Sequence, residues 1–170
     1  ALLYINNSLP YKPRADLQLH KSRQLASIFI EVINEKSFNT VVGCIYRHPS
    51  MELKDFNENH LKNLLTKLSL EHDKKIYILG DFNVDLLQTD SHDATNIFSQ
   101  EMEGNSLFPQ ITVPTRLTPW SKTLIDNIFI NSIYPNPMAG VLTCTVSEHQ
   151  PQFLISPNTN SDISKHHNIY

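Results

Sequence analysis

An unbroken apolar run, Ile76, Tyr77, Ile78 and Leu79, stops at Gly80 and gives way to Asp81, Asn83 and Asp85 at alternate positions. Four consecutive β-favouring residues read as a strand covered on both faces, which places it in the interior of a layered sheet. Gly80 lets the backbone turn, and the carboxyl end of a central strand is where α/β folds gather their chemistry. The same text also fits an ordinary strand exit, in which Asp and Asn cap a turn. What surrounds the stretch decides between the two.

The flanking periodicities describe an α/β or α+β chain. Residues 1–5 (ALLYI) read as a core strand and NNSLPYKP as a turn cluster. The runs 24–33 and 40–46 are β-rich and joined by a short polar link, which predicts an antiparallel hairpin. Leu61, Leu64, Leu65 and Leu68 recur at helical spacing, with Phe56 ahead of them and Asp55 or Ser50 as the expected cap. A second helix is expected over 93–103, burying Ala94, Ile97, Phe98 and Met102 and stopping at Gly104. Strands are then expected at 123–131, 140–146 and QFLI, after an irregular crossing rich in proline.

A chain of 170 residues, 40% hydrophobic and 18% charged, suits one domain with a sizeable core. Its net charge of −3 gives no overall basic footprint, which argues against a non-specific DNA coat but leaves local phosphate contacts open. Cys44 and Cys144 lie in apolar, strand-like runs and read as reduced, buried thiols. No apolar run approaches the length of a membrane span, and no leader pattern is present, so neither secretion nor a membrane partner is expected. The stretch 156–170 is polar and aperiodic and reads as a linker or tail.

Polar residues gather at strand ends in three places: Tyr46-Arg47, Asp81-Phe82-Asn83 and Ser147-Glu148-His149. Asp126 stands inside an otherwise apolar strand. A buried carboxylate without a partner is costly, so Asp126 requires one, and His149 is the candidate, because an aspartate fixes an imidazole's tautomer. Each signal alone has a bland reading, as a loop histidine or a core tyrosine.

In combination they resemble the endonuclease/exonuclease/phosphatase superfamily: GDFN, a strand with an internal Asp, then SEH before a final strand. The finer text GCIYRHPS, VPTRLT, SKTLIDNIFIN and VSEHQP, in that order, resembles the endonuclease domain of jockey-like non-LTR retrotransposons over about residues 1–155. The resemblance implies a four-layer sandwich of two mixed β-sheets with helices outside. It implies Mg²⁺ or Mn²⁺ as cofactor, DNA as partner, a reverse transcriptase fused on the C-terminal side, and a nuclear location. The implied activity is phosphodiester hydrolysis that nicks target DNA for reverse transcription.

Residue by residue, the resemblance makes His149, Asp81, Asn83, Asp126 and Tyr46 catalytic. Glu148 becomes a metal contact, and Tyr46, Asn83, Arg47, Arg116 and Thr115 become contacts to substrate phosphate or DNA. It also places the family's first-strand asparagine and principal metal-binding glutamate upstream of ALLYI. The chain is therefore expected to hold roughly the C-terminal two thirds of the domain, without its first strands. Glu31 and Glu35 fall later, in the hairpin, and do not match that glutamate. Glu148 replaces the usual Asp, His48 a usual Pro and Asn127 a frequent His. With that donor set, little nicking by residues 1–170 unaided is expected. The alternatives are a phosphatase or abasic-site nuclease of the same superfamily, and a catalytically silent remnant or binding module.

Overall fold

The computed structural model describes residues 1–19, 22–35, 37–131 and 137–156. A six-stranded mixed sheet runs in the order β1-β2-β3-β4-β8-β5. Its strands are β1 (Tyr11–Pro13), β2 (Leu25–Val32), β3 (Thr40–Arg47), β4 (Lys75–Asp81), β5 (Phe108–Pro109) and β8 (Asp126–Ile130). Two small antiparallel ribbons complete the strands: β6 (Arg116–Leu117) with β7 (Lys122–Thr123), and β9 (Met138–Val141) with β10 (Gln152–Ile155). Among the described residues the architecture is the mixed α/β one expected. The polar stretch beyond residue 156 lies outside them.

β2 and β3 form the antiparallel hairpin that the two β-rich runs predict. β3 and β4 pair parallel, so the chain must cross over between them, and a helical segment makes the crossing. It consists of α1 (Leu53–Asp55), a π turn over Phe56–Leu61, and α2 (Lys62–Leu68). The π turn answers to the sequence. Phe56 and Leu61 are five residues apart, a spacing that an α-helix would splay to different faces. A turn closed by i→i+5 bonds brings both onto the buried side with Leu64, Leu65 and Leu68. The residue that caps this run is Glu52, without a side-chain bond; Asp55 instead accepts from Asn59 within the helix at 2.7 Å.

α3 (Asp93–Gly104) lies where it is expected, but its buried residues are Thr95, Phe98 and Met102. Ile97 faces solvent and Ala94 is half-buried. Phe98 joins Phe56, Phe82 and Phe129 in a chain of ring contacts with centroids 5.3 to 6.4 Å apart. This aromatic cluster fills the space between the helices and the sheet.

Four expectations are corrected. Residues 1–5 form no strand: no described strand pairs with them, Tyr4 is 90% exposed, and only Leu3 and Ile5 are half-buried. Tyr11–Pro13, read as turn, is instead the edge strand, where proline's missing N–H does no harm. β4 is deeply buried only at alternate residues, Ile76 and Ile78, which face the helices; Tyr77 and Leu79 on the other face are half-buried. β9 ends at Val141, so Cys144 lies beyond the strand; both cysteines are free and half-buried.

Candidate active site

Strand pairing builds the site. Tyr46 on β3 lies opposite Asp81 on β4, and Asp81 lies opposite Asp126 on β8. Directly paired residues share a face, so three polar side chains far apart in sequence stand in one row across three adjacent strands. Gly80 makes the row possible. Its φ is +149°, and a Cβ there would sit 1.8 Å from the Ile45 carbonyl oxygen of the neighbouring strand. Only glycine allows the backbones to approach this closely.

The rest of GDFN divides the work. Phe82 is buried in the aromatic cluster and anchors the loop. Asn83 takes φ +50°, a left-handed turn that asparagine tolerates. Its N–H donates to Asp81 Oδ1 at 3.0 Å, and its Nδ2 donates to the Arg47 carbonyl at 2.7 Å.

His149 comes from the loop before β10. Arg116 and His149 form an isolated antiparallel bridge, Leu117 N–H donates to the Glu148 carbonyl, and Gln150 N–H donates to the Thr115 carbonyl. This stitching swings the imidazole over the row. His149 Nδ1 lies 3.0 and 3.1 Å from the two carboxylate oxygens of Asp126. A carboxylate only accepts, so Nδ1 carries the proton and Nε2 is left for chemistry. Thr115 Oγ1 donates to Asp126 Oδ2 at 2.8 Å while accepting from the N–H groups of Asp126 and Ile125. Asp126, whose burial requires a partner, thus has two.

Asp81, Asp126 and His149 offer ligand atoms that all lie within 4.8 Å of one another. Burial pushes the Asp81 carboxyl above the usual aspartate range, and the Asp126 charge beside it pushes the same way. The Asn83 N–H, His149 and Arg47 offset part of this.

Three expected contacts take other roles. Arg47 is buried, and its guanidinium donates to the carbonyls of Phe82 (2.7 Å), Asn83 (2.6 Å) and Met51, so it braces the GDFN loop. Thr115 is fully buried and orients Asp126. Glu148, the expected metal contact, pairs with Arg116 Nη2 at 2.7 Å and stands outside the acidic cluster. One methylene longer than the usual Asp, it reaches its arginine neighbour. Arg116 remains part-exposed beside His149.

Two positions carry structure that sequence reasoning passed over. Asn127 is buried: its Oδ1 accepts from the N–H groups of Gln110, Ile111 and Ile128, and its Nδ2 donates to the Ile111 carbonyl. It pins the irregular crossing to β8, and its polar place in an apolar strand was the same signal that marked Asp126. Glu31, equally polar within SIFIEVI, is held by Lys12, Arg14, Lys74 and Asn39 at the far end of the sheet.

No family model and no curated protein matches the sequence. Solved structures do match. The endonuclease domain of TRAS1, a telomere-specific non-LTR retrotransposon, superposes with a TM-score of 0.65 at 12% identity, over 88% of this chain and 68% of that one. An endonuclease/exonuclease/phosphatase family protein from Leptotrichia buccalis aligns at 18% identity and TM-score 0.49, over 88% of this chain and 61% of its own. The human Nocturnin catalytic domain, solved with a bound sulfate anion, aligns at 15% identity and TM-score 0.49, over 85% and 58%. The chain thus spans roughly two thirds or less of the structures it resembles. This chain has the fold of the TRAS1 endonuclease domain, and in it the GDFN strand, internal Asp126 and SEH loop are placed together.

Proposed function

We propose that this chain is the histidine-bearing part of a metal-dependent DNA endonuclease site of the non-LTR retrotransposon kind, acting in the nucleus within a protein that also carries a reverse transcriptase. The observation that carries the reading is the Asp126–His149 pair set against a second carboxylate, Asp81, at one end of the sheet.

Hydrolysis of a phosphodiester needs an aligned water, stabilisation of charge on the phosphoryl oxygens, and a proton for the leaving oxygen. Asp126 holds His149 with Nε2 free, so the imidazole can polarise the water, or, as imidazolium, hold a phosphoryl oxygen. Asp81, with its carboxyl raised by burial, is suited to orient the water or pass a proton. Tyr46, part-exposed in the same row, is placed to support the phosphate, and Asn83 adds an amide without further negative charge. Arg47 and Thr115 act through Asn83 and Asp126 as positioning residues.

The donor chemistry fits a hard divalent ion in part. Two carboxylates crowd one another, and a dication would relieve their repulsion. Asp126 is already engaged by His149 and Thr115, which leaves Asp81 as the carboxylate to hold Mg²⁺ or Mn²⁺. Such an ion supplies neutralisation of the charge that develops on phosphate. Mg²⁺ favours about six oxygens, so its remaining ligands come from water, substrate, or polypeptide outside this cluster.

The test is nicking of supercoiled plasmid in millimolar Mg²⁺ or Mn²⁺. It is run on residues 1–170 alone and joined to an upstream segment bearing the family's Asn and Glu. The expected outcome is little activity alone and metal-dependent nicking when joined, abolished by EDTA. His149→Ala and Asp81→Ala should each lower that nicking by about 10²–10⁴-fold. Nicking that survives both substitutions overturns the assignment, and a joined protein inert on DNA but active on phosphomonoesters favours the phosphatase reading. One inert on both favours the silent binding module.

A further inference from the structure

The row of Tyr46, Asp81 and Asp126 meets a polyanion with carboxylates of its own, so a DNA backbone laid across it calls for a cation at its side. Arg47 directly follows Tyr46, but its guanidinium is turned inward to three carbonyls and lies over the Phe56 ring, 6.0 Å from the centroid. Arg116 differs. Its backbone bridges that of His149, and its side chain is 38% exposed. Glu148, itself 53% exposed, holds that side chain.

The hold is a poor match of shapes. Arg116 Nε and Nη2 both donate to one oxygen, Glu148 Oε2, at 3.2 and 2.7 Å. The donors of a guanidinium form a parallel fork that two acceptor oxygens fill better, and a phosphate offers two. Water also reaches both partners, and an exposed ion pair contributes little to stability. The loop does not depend on it. Leu117 N–H donates to the Glu148 carbonyl and Gln150 N–H to the Thr115 carbonyl, so the backbone already fastens this segment to the β6 region. A carboxylate that the fold does not require thus neutralises the exposed arginine next to His149.

We infer that Glu148 is a built-in competitor of the substrate: it holds Arg116 in the free protein and yields it to a backbone phosphate of DNA lying on the row. The exchange rests on the nucleic-acid reading of the site, and it makes Glu148 a restraint on DNA affinity.

The arginines themselves supply the readout. With ¹⁵N-labelled arginine in residues 1–170, a short DNA duplex is titrated at low salt in EDTA. DNA should shift the Arg116 Nε–H signal saturably, while Arg14 and Arg47, whose donors are held inside the fold, stay in place. Glu148→Gln should tighten binding of the duplex by about three- to fivefold, the upper range for release of an exposed pair. Loss of a carboxylate also lessens plain repulsion of DNA, so the same change is made together with Arg116→Gln, where no exchange is possible. There it should alter affinity by less than about twofold. An Arg116 signal indifferent to DNA in the unaltered chain overturns the exchange, as does a Glu148→Gln variant that binds no more tightly. Equal tightening with and without Arg116 overturns it too, since it marks repulsion alone. Because this readout needs no cleavage, its failure is distinct from failure of the nuclease reading. A joined protein that nicks DNA while Arg116 stays with Glu148 loses only the exchange.

Discussion

At the scale of single residues, GDFN holds four different solutions to one problem, the delivery of a carboxylate and an amide to a fixed point. Gly80 is the least replaceable. Gly80→Ala drives a Cβ into the Ile45 carbonyl and forces alanine to a φ it rarely adopts. We expect it to destabilise the fold by about 3 kcal/mol or more, read by urea denaturation. Asp81 carries the opposite tendency. Burial and the Asp126 charge raise its carboxyl, so ionising it works against the folded state. A group raised on folding destabilises above its unfolded pKa, about 3.9 for aspartate, and not below it. Asp81→Asn should therefore melt higher than the parent protein at pH 7, with the gain closing as pH falls below about 4. A substitution that removes activity and raises the melting temperature marks a residue kept for chemistry.

Among elements, the buried Glu31 on β2 sets up an ion network that ties three segments together. Arg14 precedes a 3₁₀ turn, Lys12 lies on β1, and Lys74 leads into β4; Arg14 and Lys74 also pair with Glu71. Burial alone would push the Glu31 carboxyl up, but bonds from Asn39, Lys74 and Lys12 outweigh it and lower it from 4.5 to about 2. A carboxyl depressed on folding contributes its stability in full above its unfolded value and loses it as pH falls through the folded one. Thermal stability should therefore drop between about pH 4.5 and pH 2, and Glu31→Gln should flatten that drop. At neutral pH the same substitution leaves several cations facing a neutral amide and should cost about 3 kcal/mol. The site at the opposite end of the sheet is not part of this network.

Across the whole molecule, the site depends on contacts between segments distant in sequence. β8 inserts antiparallel between β4 and β5, which brings Asp126 beside Asp81. The β6 region and the loop before β10 then close His149 over Asp126. Gln150 secures that closure: it is buried, its N–H donates to the Thr115 carbonyl, and its Oε1 accepts from Cys144 N–H at 2.7 Å. Gln150→Ala should cost about 1–3 kcal/mol by leaving the Cys144 N–H short of a partner. It should also free His149 from its single tautomer, which imidazole ¹⁵N shifts would report; a fixed Nδ1–H tautomer in the variant would show that the loop does not depend on Gln150.

The sequence by itself determined what local rules can carry. Apolar periodicity located the hairpin of β2 and β3, the strand ahead of GDFN, the leucine-lined helix and α3, because burial imposes a two-residue or near-four-residue repeat on any chain. A lone carboxylate in an apolar strand announced that Asp126 had a partner, because charge is too costly to bury alone. The sequence also named His149 as that partner, and the pair is there; only the tertiary structure decided the remaining partners. Thr115 shares Asp126 with His149, Arg47 turns inward to three carbonyls, and Glu148 pairs with Arg116, none of which spacing along the chain expresses. ALLYI and the residues read as turn exchanged roles for the same reason. A strand exists where another backbone offers its hydrogen bonds, and Tyr11–Pro13 has β2 beside it while residues 1–5 have no such neighbour among the described residues. Composition is written residue by residue, but the partner that satisfies each residue is chosen by the fold.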